Sequence, residues 1–286
     1  MNTKKSKQAG AGMVGLLLAL PPLLALGMGG VELAHWMHLR QAISLILTDA
    51  ARVGATRQAN PQAIASAFES GLRQLYIQPD TIQQALAARR QALGTSWIMH
   101  IVQPNPAAFQ DHADPDVVGT RQPLGQALIR NDYQAQQHAQ RQAQGWPQGR
   151  GPQSGLNIHE ANTLVINLWW PQRPMVPGIA AILQGLAPLN HDPVGQQMMT
   201  QGYLPIRRQV RMVMQSHPAD WPALADGRIR YATAAGAPEA IALTTGAEPS
   251  KDAATDSTSA NPDVAEDINH IETGLNSPED PLLCGP

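Results

Sequence analysis

Acidic side chains and one histidine are concentrated between Asp111 and Asp116, in the order Asp-His-Ala-Asp-Pro-Asp. Carboxylate oxygens on a short flexible segment are ligands that Ca²⁺ prefers. The segment lacks the glycine that makes the sharp turn of a calcium loop, and no distant glutamate follows at the spacing of a bidentate ligand. We therefore interpret it as an ordinary solvated loop.

Other motifs that support chemistry are missing from the sequence. His159-Glu160 has no second histidine at the spacing of a zinc-protease helix, and neither a Gly-x-Ser-x-Gly segment nor a glycine loop with a phosphate-binding lysine is present. Cys284 is the single cysteine, which excludes two-cysteine zinc sites and intramolecular disulfides. We interpret His35 and His38 as membrane-boundary residues. No catalytic residue, cofactor or metal site is expected.

Charge is distributed unevenly along the chain. Residues 235–286 carry ten acidic residues and one lysine, a charge of −9, whereas residues 1–234 carry nineteen basic and twelve acidic residues, a charge of +7. The acidic tail has no aromatic residue and is predicted to be disordered, with Leu282 to Cys284 as an ordinary terminus. The basic residues form no run interleaved with aromatic side chains, so no nucleic acid partner is expected.

The N-terminal region has the composition of a membrane span. Three lysines precede an uncharged stretch from Gln8 to Val31, which at about 1.5 Å per residue can cross a hydrocarbon core of roughly 30 Å. Because the lysines lie before the span, the N-terminus is predicted to be cytoplasmic and everything beyond about residue 32 to lie outside, with a single pass through the membrane. A cleaved signal peptide with Leu16–Leu26 as its apolar region is the alternative.

The helical pattern continues beyond the span. Apolar side chains recur at spacings of four and three residues from Leu39 to Val53, which predicts one amphipathic helix that runs from the membrane to about Gly54. The predicted organisation is a basic leader at 1–10, this helix at 11–58, an extracytoplasmic α+β domain at 59–234 and the acidic tail at 235–286.

The exported domain shows helix and strand patterns in alternation. Asn60 before Pro61 predicts a helix that runs to Tyr76, and Asp80 with Gln83 resembles a capping box that opens a helix through Leu93. Strands are predicted at 96–103, 163–170 and 204–215, in a small antiparallel sheet with one solvent-exposed face. A helix is expected within 123–144, a loop at 145–155, and a core or interfacial helix at 175–186.

The order of the N-terminal segments is similar to a known family. Five segments follow one another: Gly10-Ala11-Gly12-Met13-Val14, an apolar stretch that ends in Leu20-Pro21, Gly30-Val31-Glu32, Leu39-Arg40-Gln41-Ala42, and Asp49 through Ala55. This region, residues 4–57, resembles the N-terminal domain of TadE/TadG-like pilus assembly proteins, which are minor pseudopilins.

The resemblance implies a non-enzymatic, single-pass protein of a bacterial inner membrane, with the bulk of the chain periplasmic. Such a protein helps to assemble a tight-adherence (Flp, type IVb) pilus, and its partners are membrane lipid and other pilin or pilus assembly subunits. A signal-anchored periplasmic binding module or hydrolase, unrelated to pili, is the competing interpretation.

Two sites follow from the same resemblance. Gly10 and Ala11 are the candidate prepilin-peptidase cleavage site. Family precursors carry glutamate five residues after the cleaved glycine, where this chain has Gly15, so we expect no efficient cleavage. Glu32 is a candidate helix-packing charge that would pair with a positive group of a neighbouring subunit. The alternative is that Glu32 simply lies in the lipid headgroup layer.

Overall fold

A computed structural model describes residues 11–75, 79–117 and 125–232. The predicted leader at 1–10 and the predicted acidic tail at 235–286, including Cys284, lie outside these residues. The described chain has the predicted α+β architecture, with a long apolar N-terminal helix followed by helices packed around a small sheet.

The N-terminal helix α1 runs without interruption from Ala11 to Thr56, over 46 residues, with Pro21 and Pro22 inside it. Most side chains of residues 15–31 are exposed, whereas Ile43 and Ala50 in the second half of the helix are fully buried. The predicted continuous helix is therefore confirmed, and it ends at Thr56, slightly beyond the predicted end at Gly54. The helix ends where Gln58 and Ala59 adopt positive φ angles of 58° and 57°, a conformation that an α-helix cannot continue.

Seven further helices and four strands follow in the described chain. They are α2 (Pro61–Leu72), α3 (Pro79–Leu93), β1 (Ile98–Gln103), α4 (Pro106–His112), α5 (Gln134–Ala143), α6 (Ile158–Ala161), β2 (Thr163–Gln172), α7 (Ile179–Leu186), α8 (Pro193–Thr200), β3 (Leu204–Val213) and β4 (Ile229–Tyr231). Short 3₁₀ turns occupy Arg73–Leu75, Pro147–Gly149 and Ala187–Leu189.

The sheet has the strand order β3-β2-β1-β4. Strand β2 pairs antiparallel with both β1 and β3, so all three predicted strands are present in a meander-like arrangement. Strand β4 pairs with β1 in parallel, and Met99 lies opposite Ile229. The predicted antiparallel pairing is therefore confirmed for these three strands, whereas the parallel strand β4 was not predicted, because it has only three residues and shows no alternation of apolar and polar side chains.

The main core lies between one face of the sheet and the helices α1 and α2. Phe68 of α2 contacts Trp97 edge to face with ring centroids 5.2 Å apart, and Trp170 at 6.3 Å. On the opposite face, a smaller cluster joins Ile98 and Trp169 to α8. The outer part of that face is polar, as predicted, where the side chains of Arg207, Gln209 and Arg211 on β3 are exposed.

Some predicted helix boundaries differ from the observed ones. Asn60 is the N-cap of α2, as predicted, and accepts a hydrogen bond from the Ala63 amide at 3.0 Å. Helix α3 begins at Pro79, so Asp80 lies in the first turn and is not the N-cap; proline is favoured at a first helical position. Tyr76 lies outside the described residues.

The helix predicted within 123–144 begins only at Gln134. Residues 118–124 lie outside the described chain, and the segment before α5 is extended rather than helical. Leu128 and Ile129 form isolated antiparallel bridges with Ala219 and Ala113. Pairing with distant segments has therefore replaced helix formation at these two apolar residues.

The contact between α1 and α2 leaves no room for a side chain at Gly71. A Cβ atom there would lie 2.5 Å from Cγ2 of Ile46, a β-branched side chain that has few alternative rotamers in a helix. We expect Gly71→Ala to lower the free energy of unfolding by about 1–3 kcal/mol, the range for overpacking, although alanine favours a helix by about 1 kcal/mol.

Gly185→Ala in α7 is the matched control, because no atom lies within 4 Å of a Cβ there. That variant is expected to be neutral or slightly stabilising in denaturant titration of the full chain in detergent. Equal effects of the two substitutions would contradict the close α1–α2 packing.

Candidate functional site

Glu32 lies where the exposed apolar part of α1 ends. Its exposed fraction is 7%, whereas its neighbours Val31 and Leu33 are 63% and 54% exposed. Between Gly15 and His38 it is the one buried side chain. Burial of a carboxylate without partners costs several kcal/mol, so a buried Glu32 needs hydrogen-bond donors from the fold.

The partners of Glu32 lie far away in the sequence. Oε2 accepts hydrogen bonds from the backbone amides of Met175 at 2.8 Å and Val176 at 3.0 Å. These residues belong to the segment between β2 and α7, which we call the strap (residues 173–178). Hydrogen bonds to a charged group contribute about 1.5–3 kcal/mol each. Glu32 therefore fastens the strap to the helix at the end of the apolar segment.

The second oxygen of Glu32 has no hydrogen-bond partner among the described residues, although it is buried. The indole Nε1 of Trp36, one helical turn further, is likewise buried and unpaired in the described chain. The Arg40 guanidinium lies 5.4 Å from the Trp36 ring centroid. Since residues four apart share a helix face, Glu32, Trp36 and Arg40 form one stripe along α1.

This geometry bears on the predicted role of Glu32 as a helix-packing charge, which stays a prediction. One oxygen is already occupied within the same chain, and the other is shielded from solvent. A positive group of a neighbouring subunit can therefore reach the carboxylate only if the atoms that cover it move. Of the candidate cleavage residues, Gly10 lies outside the described chain and Ala11 is the first residue of α1.

The acidic segment 111–116 is divided among separate structural contacts. Asp111 and His112 form the last turn of α4. Asp111 accepts hydrogen bonds from the amide and hydroxyl of Ser154 at 2.7 and 2.6 Å, whereas Asp114 accepts one from Nε of Arg130 at 2.6 Å. No three His, Cys, Asp or Glu side chains within residues 11–75, 79–117 and 125–232 are placed to hold a metal ion.

His112 is the buried titratable group of this region. Its side chain is fully buried, and Nε2 lies 2.8 Å from the carbonyl oxygen of Leu156. Burial lowers the pKa of His112, and the hydrogen bond to Leu156 opposes this effect only in part. In contrast, the hydrogen bond from Arg130 holds the pKa of Asp114 below its usual value.

Two surface grooves contain charged side chains in the described chain. One, of about 420 Å³, lies beside α5 and includes Arg141 and Trp146. The other, of about 290 Å³, lies between α2, α3 and the turn before β4, where Arg228 pairs with both Glu69 and Asp226. Arg141 lies over the ring of Trp146, and Arg228 lies over the ring of Trp97 in addition to its two ion pairs.

Comparisons with protein-family models, with curated proteins and with solved structures found no match to this chain. The resemblance of residues 4–57 to TadE/TadG-like proteins therefore stays a prediction.

The partners of Glu32 could not be predicted from the sequence. Met175 and Val176 contribute backbone amides, which every residue except proline possesses, and they are separated from Glu32 by 143 and 144 residues. The nearest available signal was the combination of a lone acidic residue after the apolar run and the apolar segment 175–186.

Removal of the Glu32 carboxylate should release the strap. We expect Glu32→Ala to lower the free energy of unfolding by about 2–6 kcal/mol, because two amide donors lose their acceptor at about 1–3 kcal/mol each. Amide exchange at Met175 and Val176 should accelerate in the same variant. Asp49→Ala is the control, since Asp49 pairs with Arg52 on the exposed surface, where a loss within about 0.5 kcal/mol is typical. Unchanged exchange at Met175 and Val176 would contradict the fastening role.

Burial of His112 should make the domain less stable in acid. Because the pKa of His112 in the folded state lies below its ordinary value of 6.5, the unfolded chain binds a proton at a higher pH than the folded chain does. Stability is therefore retained above about pH 6.5 and declines below it, by up to about 1.4 kcal/mol per pH unit.

His112→Gln should flatten this decline in denaturant titrations between pH 7.5 and 5, whereas His38→Gln, at an exposed position of α1, should leave it unchanged. The same slope in the His112 variant and the parent would show that the proton is taken up elsewhere.

Proposed function

We propose that this chain is a non-enzymatic, membrane-anchored, pseudopilin-like protein that assists the assembly of a tight-adherence (Flp, type IVb) pilus. The observation that carries the proposal is helix α1, which is 46 residues long, exposed and apolar in its first half and packed on a sheet in its second half. Such a helix can join a membrane to a folded domain without a flexible linker.

The first half of α1 is unsuited to water. Ten large apolar side chains between Leu16 and Leu33 are exposed, which is far more than the scattered apolar residues of an ordinary surface. The helix is also long and apolar enough to cross a membrane. These observations support a single-pass anchor. The three lysines before it support a cytoplasmic N-terminus and a periplasmic domain in a bacterial inner membrane.

The surface of the span also favours contact with other helices. Gly15, Gly27, Gly29 and Gly30 have open space where a Cβ would lie. Small residues let helix backbones approach closely in a membrane, where packing rather than the hydrophobic effect drives association. Lateral packing of α1 against pilin or assembly-platform helices is therefore the mechanism proposed for this protein, and it agrees with the TadE-like order of segments in residues 4–57.

The proposal predicts that pilus assembly depends on the amino-acid sequence of the span and not only on its hydrophobicity. In the source bacterium, deletion of the gene should abolish surface pili, and the full chain should restore them. A variant in which residues 11–31 are replaced by an unrelated apolar span should reach the membrane in normal amount without restoring pili. Electron microscopy of surface filaments and immunoblots of membrane fractions measure the two outcomes.

Glycine substitutions give a more conservative version of the same experiment. Gly29→Leu with Gly30→Leu should impair pilus assembly by blocking close helix approach, whereas Leu23→Ile, at an exposed position of the same span, should not. Pili that persist after gene deletion would overturn the proposed function, and pili restored by the unrelated span would overturn the packing mechanism.

A further inference from the structure

Helix α7 presents an apolar surface that nothing in the described chain covers. Ile182 is 61% exposed and Leu186 46% exposed, and Met175 and Leu189 on either side of the helix are exposed as well. Within α7 itself only Leu183 is buried. The predicted core or interfacial helix at 175–186 is therefore not a core helix. Exposed apolar patches of this kind mark sites of interaction with a membrane or a partner.

The hydrogen bonds of Glu32 place the start of this surface next to the membrane boundary. Residues 11–31 of α1 extend about 31 Å at 1.5 Å per residue, which is the thickness of a hydrocarbon core of roughly 30 Å. Glu32 therefore lies at the outer edge of the hydrocarbon. Since Oε2 accepts hydrogen bonds from Met175 and Val176, the strap lies at the same depth. Ile179, where α7 begins, is three residues further, within about 11 Å.

We propose that α7 lies in the outer membrane-water interface of the bilayer that α1 crosses, with Ile182, Leu186 and Leu189 turned into the lipid. This inference rests on the anchoring of α1 in a membrane and not on the pilus role. Short helices with one apolar face bury that face about 5–10 Å into the boundary between headgroups and acyl chains. Lipid is favoured as the occupant because the α7 surface is continuous, through the strap, with the apolar surface of the span.

Interfacial docking of α7 gives the domain a second attachment to the membrane. Leu183 faces the domain, and α7 packs on α8, which in turn packs against β2 and β3. The Trp169 indole donates a hydrogen bond to Asp192, at the start of α8, at 2.6 Å. The orientation of the sheet relative to the bilayer is thus set by both α1 and α7, whereas a single helix would leave rotation about its own axis free.

Depth measurements on the full chain in lipid nanodiscs test this inference. The natural cysteine is first removed by Cys284→Ser. Single cysteines are then introduced by Ile182→Cys, Gln184→Cys, Val31→Cys or Leu45→Cys and labelled with the environment-sensitive fluorophore NBD. Gln184 is the matched control on α7, two residues from Ile182 and on another face of the helix. Val31 reports shallow insertion of the span, and Leu45 reports an exposed helix surface outside the bilayer.

NBD at Ile182 is expected to emit at a shorter wavelength than NBD at Gln184. Lipids brominated near the headgroup should quench NBD at Ile182 as strongly as they quench NBD at Val31. NBD at Leu45 should be quenched by iodide in water and not by brominated lipid. Iodide quenching at Ile182 equal to that at Leu45 would overturn the inference. Protection of Ile182 from both quenchers would also overturn it, because another protein chain would then cover α7. If NBD at Val31 is not quenched by lipid, the anchor itself is wrong.

Discussion

Packing of the second half of α1 against α2 and the sheet is the constraint on which the rest of the structure depends. Ile43, Leu47 and Ala50 are buried in the main core, and the end of the helix is held by hydrogen bonds from Gln215 and Ser216 to the Ala55 carbonyl at 2.9 Å. A helix is stiff over this length, so the direction of its buried half also sets the direction in which its apolar half leaves the domain. The apolar half and the buried half of α1 are parts of one continuous helix.

Glu32 forms a second contact between α1 and the domain, at the end of the exposed part of the helix. Its carboxylate is buried, but two backbone amides offset part of the cost of burial. The contact ties the strap, and with it α7, to the end of the exposed apolar part of α1. One acidic residue thus links the candidate span to the segment that connects the sheet with an exposed apolar helix.

Features determined by local sequence could be predicted, and those determined by long-range contacts could not. The apolar periodicity of α1, the Asn60 cap and the alternation in β3 are local signals, and the structure confirms each of them. Strand β4 is too short to show a pattern, α8 was not foreseen, and Leu128 and Ile129 pair with residues that are distant in sequence. The Glu32 contact depends on backbone amides, which carry no side-chain signal. The leader, the cleavage site at Gly10 and the acidic tail lie outside the described residues and stay predictions.

Helix α1 is one unbroken rod from its exposed apolar half into its buried half, through the glycines at 27, 29 and 30. An electron spin resonance distance between labels at Leu23 and Leu45, both exposed, tests it most directly in full-length protein carrying Cys284→Ser in nanodiscs. A continuous helix separates the two Cα atoms by about 33 Å, at 1.5 Å per residue, and predicts a single narrow distribution allowing for the label linkers. A broad distribution, or one centred several ångströms shorter, would show a break near the membrane boundary and contradict the account.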